Sequence, residues 1–351
     1  MLENTERTEL SSLGEFGLIK HLTQFIEIVN ESTIKGVGDD AAVISLSKGE
    51  GEKHMVVSTD LLIEGVHFDL TYVPLKHLGY KAVSVNLSDI YAMNATPKQI
   101  TVSIAVSNKF SVEALEELYS GMMLACHKHK VDIVGGDTTT NKSGLLISIT
   151  AIGEALVEDI VYRSTAKEGD LICITGDLGA AYVGLQLLER EKRIFLETPN
   201  VKPDLEGNDY IIERQLKPEA RKDIPELFKK LELKPTAMID VSDGLASEVL
   251  HLTTDSGLGC NIYEDKIPVD PTTYNTAREF NLDPTICALN GGEDYELLFT
   301  IDQADFPKVK ANPDITVIGH MTNKSAGVNL ITKGGSSHTL TAQGWDALLK
   351  K

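Results

Sequence analysis

Six short segments of the 351-residue chain set carboxylates beside glycines or hydroxyls. They are Gly36-Val37-Gly38-Asp39-Asp40, Ser58-Thr59-Asp60, Asn86-Leu87-Ser88-Asp89, Gly135-Gly136-Asp137, Asp240-Val241-Ser242-Asp243 and Gly291-Gly292-Glu293-Asp294. Carboxylate and hydroxyl oxygens are hard ligands of the kind magnesium prefers. Glycine lets the backbone approach a ligand closely, and the amides of a Gly-Gly pair can cradle a phosphate. Taken singly, several of these segments are equally well explained as turns, because Gly, Asp and Ser dominate turns. Asn86 and Asp89 are harder to explain that way. They share one face of a helix with apolar Ala82, Ile90 and Met93 nearby, and a carboxylate on a buried face needs a partner. Asp240 continues an apolar strand, whereas Ser242 or Asp243 can serve as a cap for the helix that follows. Glu296 reads as one of a solvated cluster of acids, and Asp177 has no evident role.

Many carboxylates spread over both halves suit a reaction between two polyanions. Phosphoryl transfer from ATP is such a reaction, with bridging magnesium ions neutralising charge and aligning the attack. The chain has no GxxxxGK[ST] loop and no kinase-type GxGxxG or HRD segment to hold phosphates in another way.

The elements that must position these segments alternate between strand and helix, which predicts an α/β (α+β) class. Strands are expected at 55–58, 100–106, 131–134, 145–152, 171–175, 236–239 and 296–300. Helices with apolar residues three and four apart are expected at 15–28, 75–93, 112–128, 180–191, 219–230 and 244–253. The polar stretch 154–170 divides the chain into an amino-terminal domain, 1–158, and a carboxyl-terminal domain, 159–351. Each half carries a strand running into an aspartate, at Asp60 and at Asp240.

Six stretches in this order resemble the thiamine-monophosphate kinase family: GVGDDAAVI (36–44), STDLLIEGVHF (58–68), KAVSVNLSDIYAMNATP (81–97), VGGDTT (134–139), IDVSDGLASEV (239–249) and GGEDYELLF (291–299). The resemblance implies a two-domain, synthetase-like fold that pairs as a homodimer through its amino-terminal sheets. It implies direct transfer of the ATP γ-phosphate to thiamine phosphate, with several Mg2+ ions and no phosphoenzyme. Carried over by motif, Asp40, Ser58, Thr59, Asp60, Asp89, Asp137 and Asp240 hold magnesium and Asp243 another ion, with Asp60, Asp89 and Asp240 central to catalysis. Gly136, Arg163 and Ser242 contact ATP. His67, Glu293 and Trp345 contact thiamine phosphate. A related synthetase of the aminoimidazole ribonucleotide type is the alternative enzyme. A non-catalytic protein that binds divalent cations or nucleotides is the alternative of another class.

The formal net charge of −19 argues against nucleic acid and anionic membranes as partners, while magnesium can reverse the local sign for phosphates. Four widely spaced cysteines suggest neither a zinc site nor a disulfide framework. The polar amino terminus lacks the parts of a secretion signal, so a cytoplasmic location is expected.

Overall fold

The computed structural model describes residues 14–24, 26, 28–45 and 52–343. Helix α1 (Gly14–Thr23) leads into strands β1 (Thr33–Lys35), β2 (Ala42–Ser45) and β3 (Lys53–Ile63). Then come α2 (Leu75–Ala92), β4 (Thr96–Val106), α3 (Val112–His129), β5 (Asp132–Thr140) and β6 (Leu145–Leu156). These strands form a six-stranded sheet in the order β1-β2-β3-β6-β4-β5. All its pairings are antiparallel except β4 with β5, which the crossover helix α3 joins in parallel. Along β6, Leu145, Ile147, Ile149 and Ala151 are buried while Leu146, Ser148, Thr150 and Ile152 are only partly so. That alternation gives the sheet one face covered by α2 and α3 and one open face. Helices α2 and α3 touch backbone to backbone. A Cβ on Gly79 would lie 1.9 Å from the Leu118 carbonyl oxygen, and one on Gly121 equally close to that of Lys76. This close crossing fixes α2, the carrier of Asp89, against both α3 and the sheet.

The second half holds β7 (Leu171–Thr175), α4 (Ala180–Glu197), α5 (Asp209–Leu216), α6 (Asp223–Lys230), β8 (Ala237–Asp240), α7 (Leu245–Ser256) and β9 (Gly259–Tyr263). It continues with α8 (Pro271–Glu279), α9 (Pro284–Asn290), β10 (Leu297–Ile301), α10 (Phe306–Val309), β11 (Ile315–Thr322), β12 (Val328–Ile331) and β13 (Ser337–Thr339). The seven strands order as β13-β12-β9-β11-β7-β10-β8. Every residue of β8 and β10 is buried. The expected α/β class holds.

Three expectations change. The strand expected at 55–58 runs on to Ile63, so Ser58, Thr59 and Asp60 lie inside β3 rather than in a turn after it. The Gly135-Gly136-Asp137 segment also lies within a strand, β5. A Cβ on Gly136 would sit 1.8 Å from the Val102 carbonyl oxygen, so strand-to-strand approach is what requires glycine there. The third concerns Glu296, which is 2% exposed. It accepts hydrogen bonds from Thr175 Oγ1 at 2.6 Å and Arg214 Nη1 at 2.8 Å, and a third from Arg221. Burial pushes its pKa up, but two arginines, not water, balance its charge and hold the pKa below the usual carboxylate range. All four cysteines are free and buried. Among the described residues no helix is long and apolar enough to cross a membrane.

Candidate functional site

A cleft of about 790 Å³ opens where α2 and β3 of the first half meet the 240–243 and 291–295 segments of the second. Asp60, His67, Asp89, Asp240, Ser242, Asp243 and Glu293 all line it. Strand periodicity aims Asp60: Val56 and Leu62 on the same side of β3 are buried against the helices. Asn86 ties the two elements together. Its side-chain oxygen accepts from the Asp60 N–H at 2.9 Å, and its amide donates to the Ala82 carbonyl at 2.9 Å. Asn86 therefore fixes the backbone of the site. Ser58 donates to Asp89. Asp240 ends β8 with 4% exposure. After it the chain turns at Gly244, which itself takes the N-cap position of α7 expected for Ser242 or Asp243. Glu248, one turn into α7 and 3% exposed, accepts instead from the Asp243 N–H at 3.0 Å.

The electrostatics of this cluster are unfavourable as it stands. Burial pushes Asp60 up to about 6 and Asp240 up to about 7, and neighbouring carboxylates add to the rise at Asp240. Burial, then the charge of Asp60, drives Asp89 well above the carboxylate range. Burial, then the charges of Asp240 and Asp39, does the same to Asp40. Glu248 is raised by burial and by Asp243 and Asp240. Arg163 offers partial relief. It sits 3.6 Å from Asp40 and donates to Asp255 at 2.7 Å. Buried Oδ2 atoms of Asp39 and Asp40 nonetheless accept no hydrogen bond. Mutually repelling, buried oxygen donors are a donor set that divalent cations satisfy. Among the described residues no three acidic, His or Cys side chains are yet close enough to hold an ion.

Some expected site residues lie elsewhere. Thr59 faces the open side of the sheet, where its hydroxyl donates to the Ile149 carbonyl at 3.0 Å and accepts from Thr150 at 3.2 Å. Asp137 is exposed and pairs across the sheet with Ser103. Its side chain accepts from the Thr138 N–H at 2.9 Å. Three strand spacings, about 14 Å, separate Gly136 from Asp60 along one paired row. Trp345 lies outside the described residues.

Sequence reasoning missed several cleft residues. Lys81 is 3% exposed and 2.7 Å from Glu293. Its spacing to Val85 and Asp89 at four-residue steps is the available signal, for it puts all three on one helix face. Gln215 and Tyr295 also line the cleft, and nothing in the local sequence marks them. Asp177 gains a role: it accepts from Tyr210 Oη at 2.6 Å, and its backbone carbonyl accepts from Arg214 at 3.0 Å.

Residues 38–155 match the family described as AIR synthase related protein, N-terminal domain. This assigns the first half to a class of proteins built on that domain. Over most of its length the chain is 37% identical to the thiamine-monophosphate kinase of Buchnera aphidicola subsp. Schizaphis graminum, covering 91% of this chain and 94% of that one. It is 32% identical to the thiamine-monophosphate kinase of Bacillus subtilis, covering 95% and 99%. The solved structure of AaThiL complexed with AMPPCP and TMP superposes with a TM-score of 0.80 at 31% identity, covering 98% of this chain and all of that one. The chain belongs to the thiamine-monophosphate kinase family.

Proposed function

We propose that this protein is a thiamine-phosphate kinase, transferring the γ-phosphoryl group of ATP to thiamine phosphate to give thiamine diphosphate and ADP. The observation that carries this reading is the convergence of Asp60, Asp89, Asp240 and Asp243 from both halves on one cleft that also contains His67 and Glu293. Relatives of the same length share the assignment, and a relative of the same fold is complexed with AMPPCP and TMP.

The donor set fits magnesium, with Asp40, Asp60, Asp89 and Asp240 as its holders and Asp243 beside them. When bound, magnesium neutralises the phosphates and stabilises charge in the transition state. The chain's own residues do the rest. Arg163 has a planar fork of donors suited to a phosphate once it leaves Asp40. Ser242 and Gly136 are proposed ATP contacts. His67 and Glu293, which line the cleft, are proposed to contact thiamine phosphate, with Trp345 stacking on its ring. The terminal phosphate of the acceptor is already largely ionised near neutral pH, so no side chain need act as a general base.

Asp137 fits the reading through a second copy. It lies on the open face of the six-stranded sheet, the face that also carries Thr59 and the exposed Leu61. Pairing of two such faces would cover this surface and bring Asp137 of one copy toward the other. We propose a homodimer of this kind, built from amino-terminal domains at 1–158, with the carboxyl-terminal domain 159–351 completing each cleft in the cytoplasm.

The test is direct. Purified protein with ATP, magnesium and thiamine phosphate is expected to yield thiamine diphosphate and ADP in equal amounts. Intact nucleotide binding without that product would overturn the assignment.

A further inference from the structure

Glu293 is gripped by residues from both halves of the chain. Its Oε1 lies 2.7 Å from Lys81 Nζ on α2, and its Oε2 accepts from Gln215 Nε2 on α5 at 2.9 Å. Lys81 also donates to the backbone carbonyl of Gln215 at 3.3 Å, so the three residues close a ring. Lys81 is 3% exposed and Gln215 5%, and both line the cleft with Glu293. The Glu293 backbone is fixed as well. It adopts φ +59°, in the left-handed region that a glutamate rarely takes, and its N–H donates to the Ser242 carbonyl at 2.7 Å. A buried ammonium needs a partner. Here the partner is the cleft-lining carboxylate of Glu293. The orientation of the Gln215 amide follows from chemistry, since only its NH2 end can donate to a carboxylate. Its Oε1 is then buried with no protein partner.

We propose that Lys81 and Gln215 are positioning residues for the acceptor. By holding both oxygens of Glu293, they present its carboxylate in one fixed orientation to the cationic, amine-bearing rings of thiamine phosphate. The grip spans α2 and α5, so it forms only when the two halves are seated together. A carboxylate restrained this way recognises charge and shape. The inference rests on the thiamine-phosphate reading of the cleft.

Steady-state kinetics on the full chain test it, with thiamine phosphate and ATP varied separately. Lys81→Met is expected to raise KM for thiamine phosphate roughly tenfold or more, the effect of stripping a partner from a charged acceptor. KM for ATP should stay within about twofold, because the grip does not reach the nucleotide. Gln215→Leu should act in the same direction and more weakly. Lys81→Arg, which keeps the cation, should recover part of the loss. The double variant Lys81→Met/Glu293→Gln should be no worse than Glu293→Gln alone, since removing the charge removes the need for its partner. This double variant carries the comparison if Lys81→Met fails to fold. A parallel rise in both KM values, or additive losses in the double variant, would overturn the proposal. A wild-type protein that makes no thiamine diphosphate would overturn the function itself.

Discussion

On the covered face of the six-stranded sheet, Ser58 bonds Asp89, and Asp60 shares a cleft with Asp89 and Asp240. On the open face, one residue away, Thr59 spends its hydroxyl on the Ile149 carbonyl, and Asp137 stands exposed. The residue types match, but their surroundings do not. Carboxylates on the covered face have their pKa values driven up by burial and by one another. Repulsion of that kind is tolerated only where something relieves it. The difference teaches that a carboxylate's place in a mechanism depends on which side of a strand it leaves from. The carboxylate type alone does not decide it.

The most severe way to break this contrast is Asp89→Asn. A metal ligand contributes several kcal/mol to the transition state of phosphoryl transfer, so turnover should fall by about two orders of magnitude or more. Stability should move the other way. Burial and the Asp60 charge raise Asp89 far above its ordinary range, so its ionised form opposes folding near neutral pH. In chelator, thermal melts should show the variant at least as stable as wild type. A destabilised variant would mean that the Ser58 hydrogen bond outweighs the repulsion at Asp89, and near-normal turnover would remove Asp89 from the metal set.

Much of this contrast was legible in the sequence. Asp89 and Asp240 sat in segments whose apolar neighbours marked buried faces, and burial is what gives them chemistry. The fold class followed from alternating strand and helix patterns, and β7 falls on the expected 171–175. What could not be read was the partner each side chain meets. Ser58, Thr59 and Asp60 looked like one polar turn, and only the continuation of β3 to Ile63 sends alternate residues to opposite faces. Glu296 looked solvated because its neighbours in sequence are acids, whereas its partners Arg214 and Arg221 lie 82 and 75 residues away. Lys81 was similarly hidden, since Glu293 comes from the other half of the chain.

A milder way to sharpen the contrast is to titrate it. Asp60 sits at about 6 and Asp240 at about 7, above an unfolded value of 3.8. Between those limits the folded state binds more protons than the unfolded one. The contribution of these groups to stability is therefore present at low pH and lost as pH rises through 6 to 7. A cation that binds the ionised carboxylates reverses the loss and must displace protons to bind at lower pH. Magnesium should accordingly raise the melting temperature more at pH 8 than at pH 5. In Asp60→Asn and Asp240→Asn the difference between the two pH values should shrink. A magnesium effect equal at both pH values would place the ions away from these aspartates.

The smallest expected effect is the most discriminating for the two faces. Thr59 neighbours Asp60 in sequence, but its side chain leaves the opposite face of β3, and its hydroxyl already serves Ile149 and Thr150 across the sheet. Thr59→Ala should lose that side-chain hydrogen bond, a cost of about 1 kcal/mol in stability. If the open face is only a sheet surface, turnover should stay within about twofold, because nothing in the cleft moves. Thr59→Val, which keeps the shape and drops the hydroxyl, should behave the same way. A tenfold loss of turnover in both variants, with magnesium dependence shifted to higher concentration, would make the Thr59 oxygen a ligand despite its strand face. The open face would then belong to an active site completed by the partner copy.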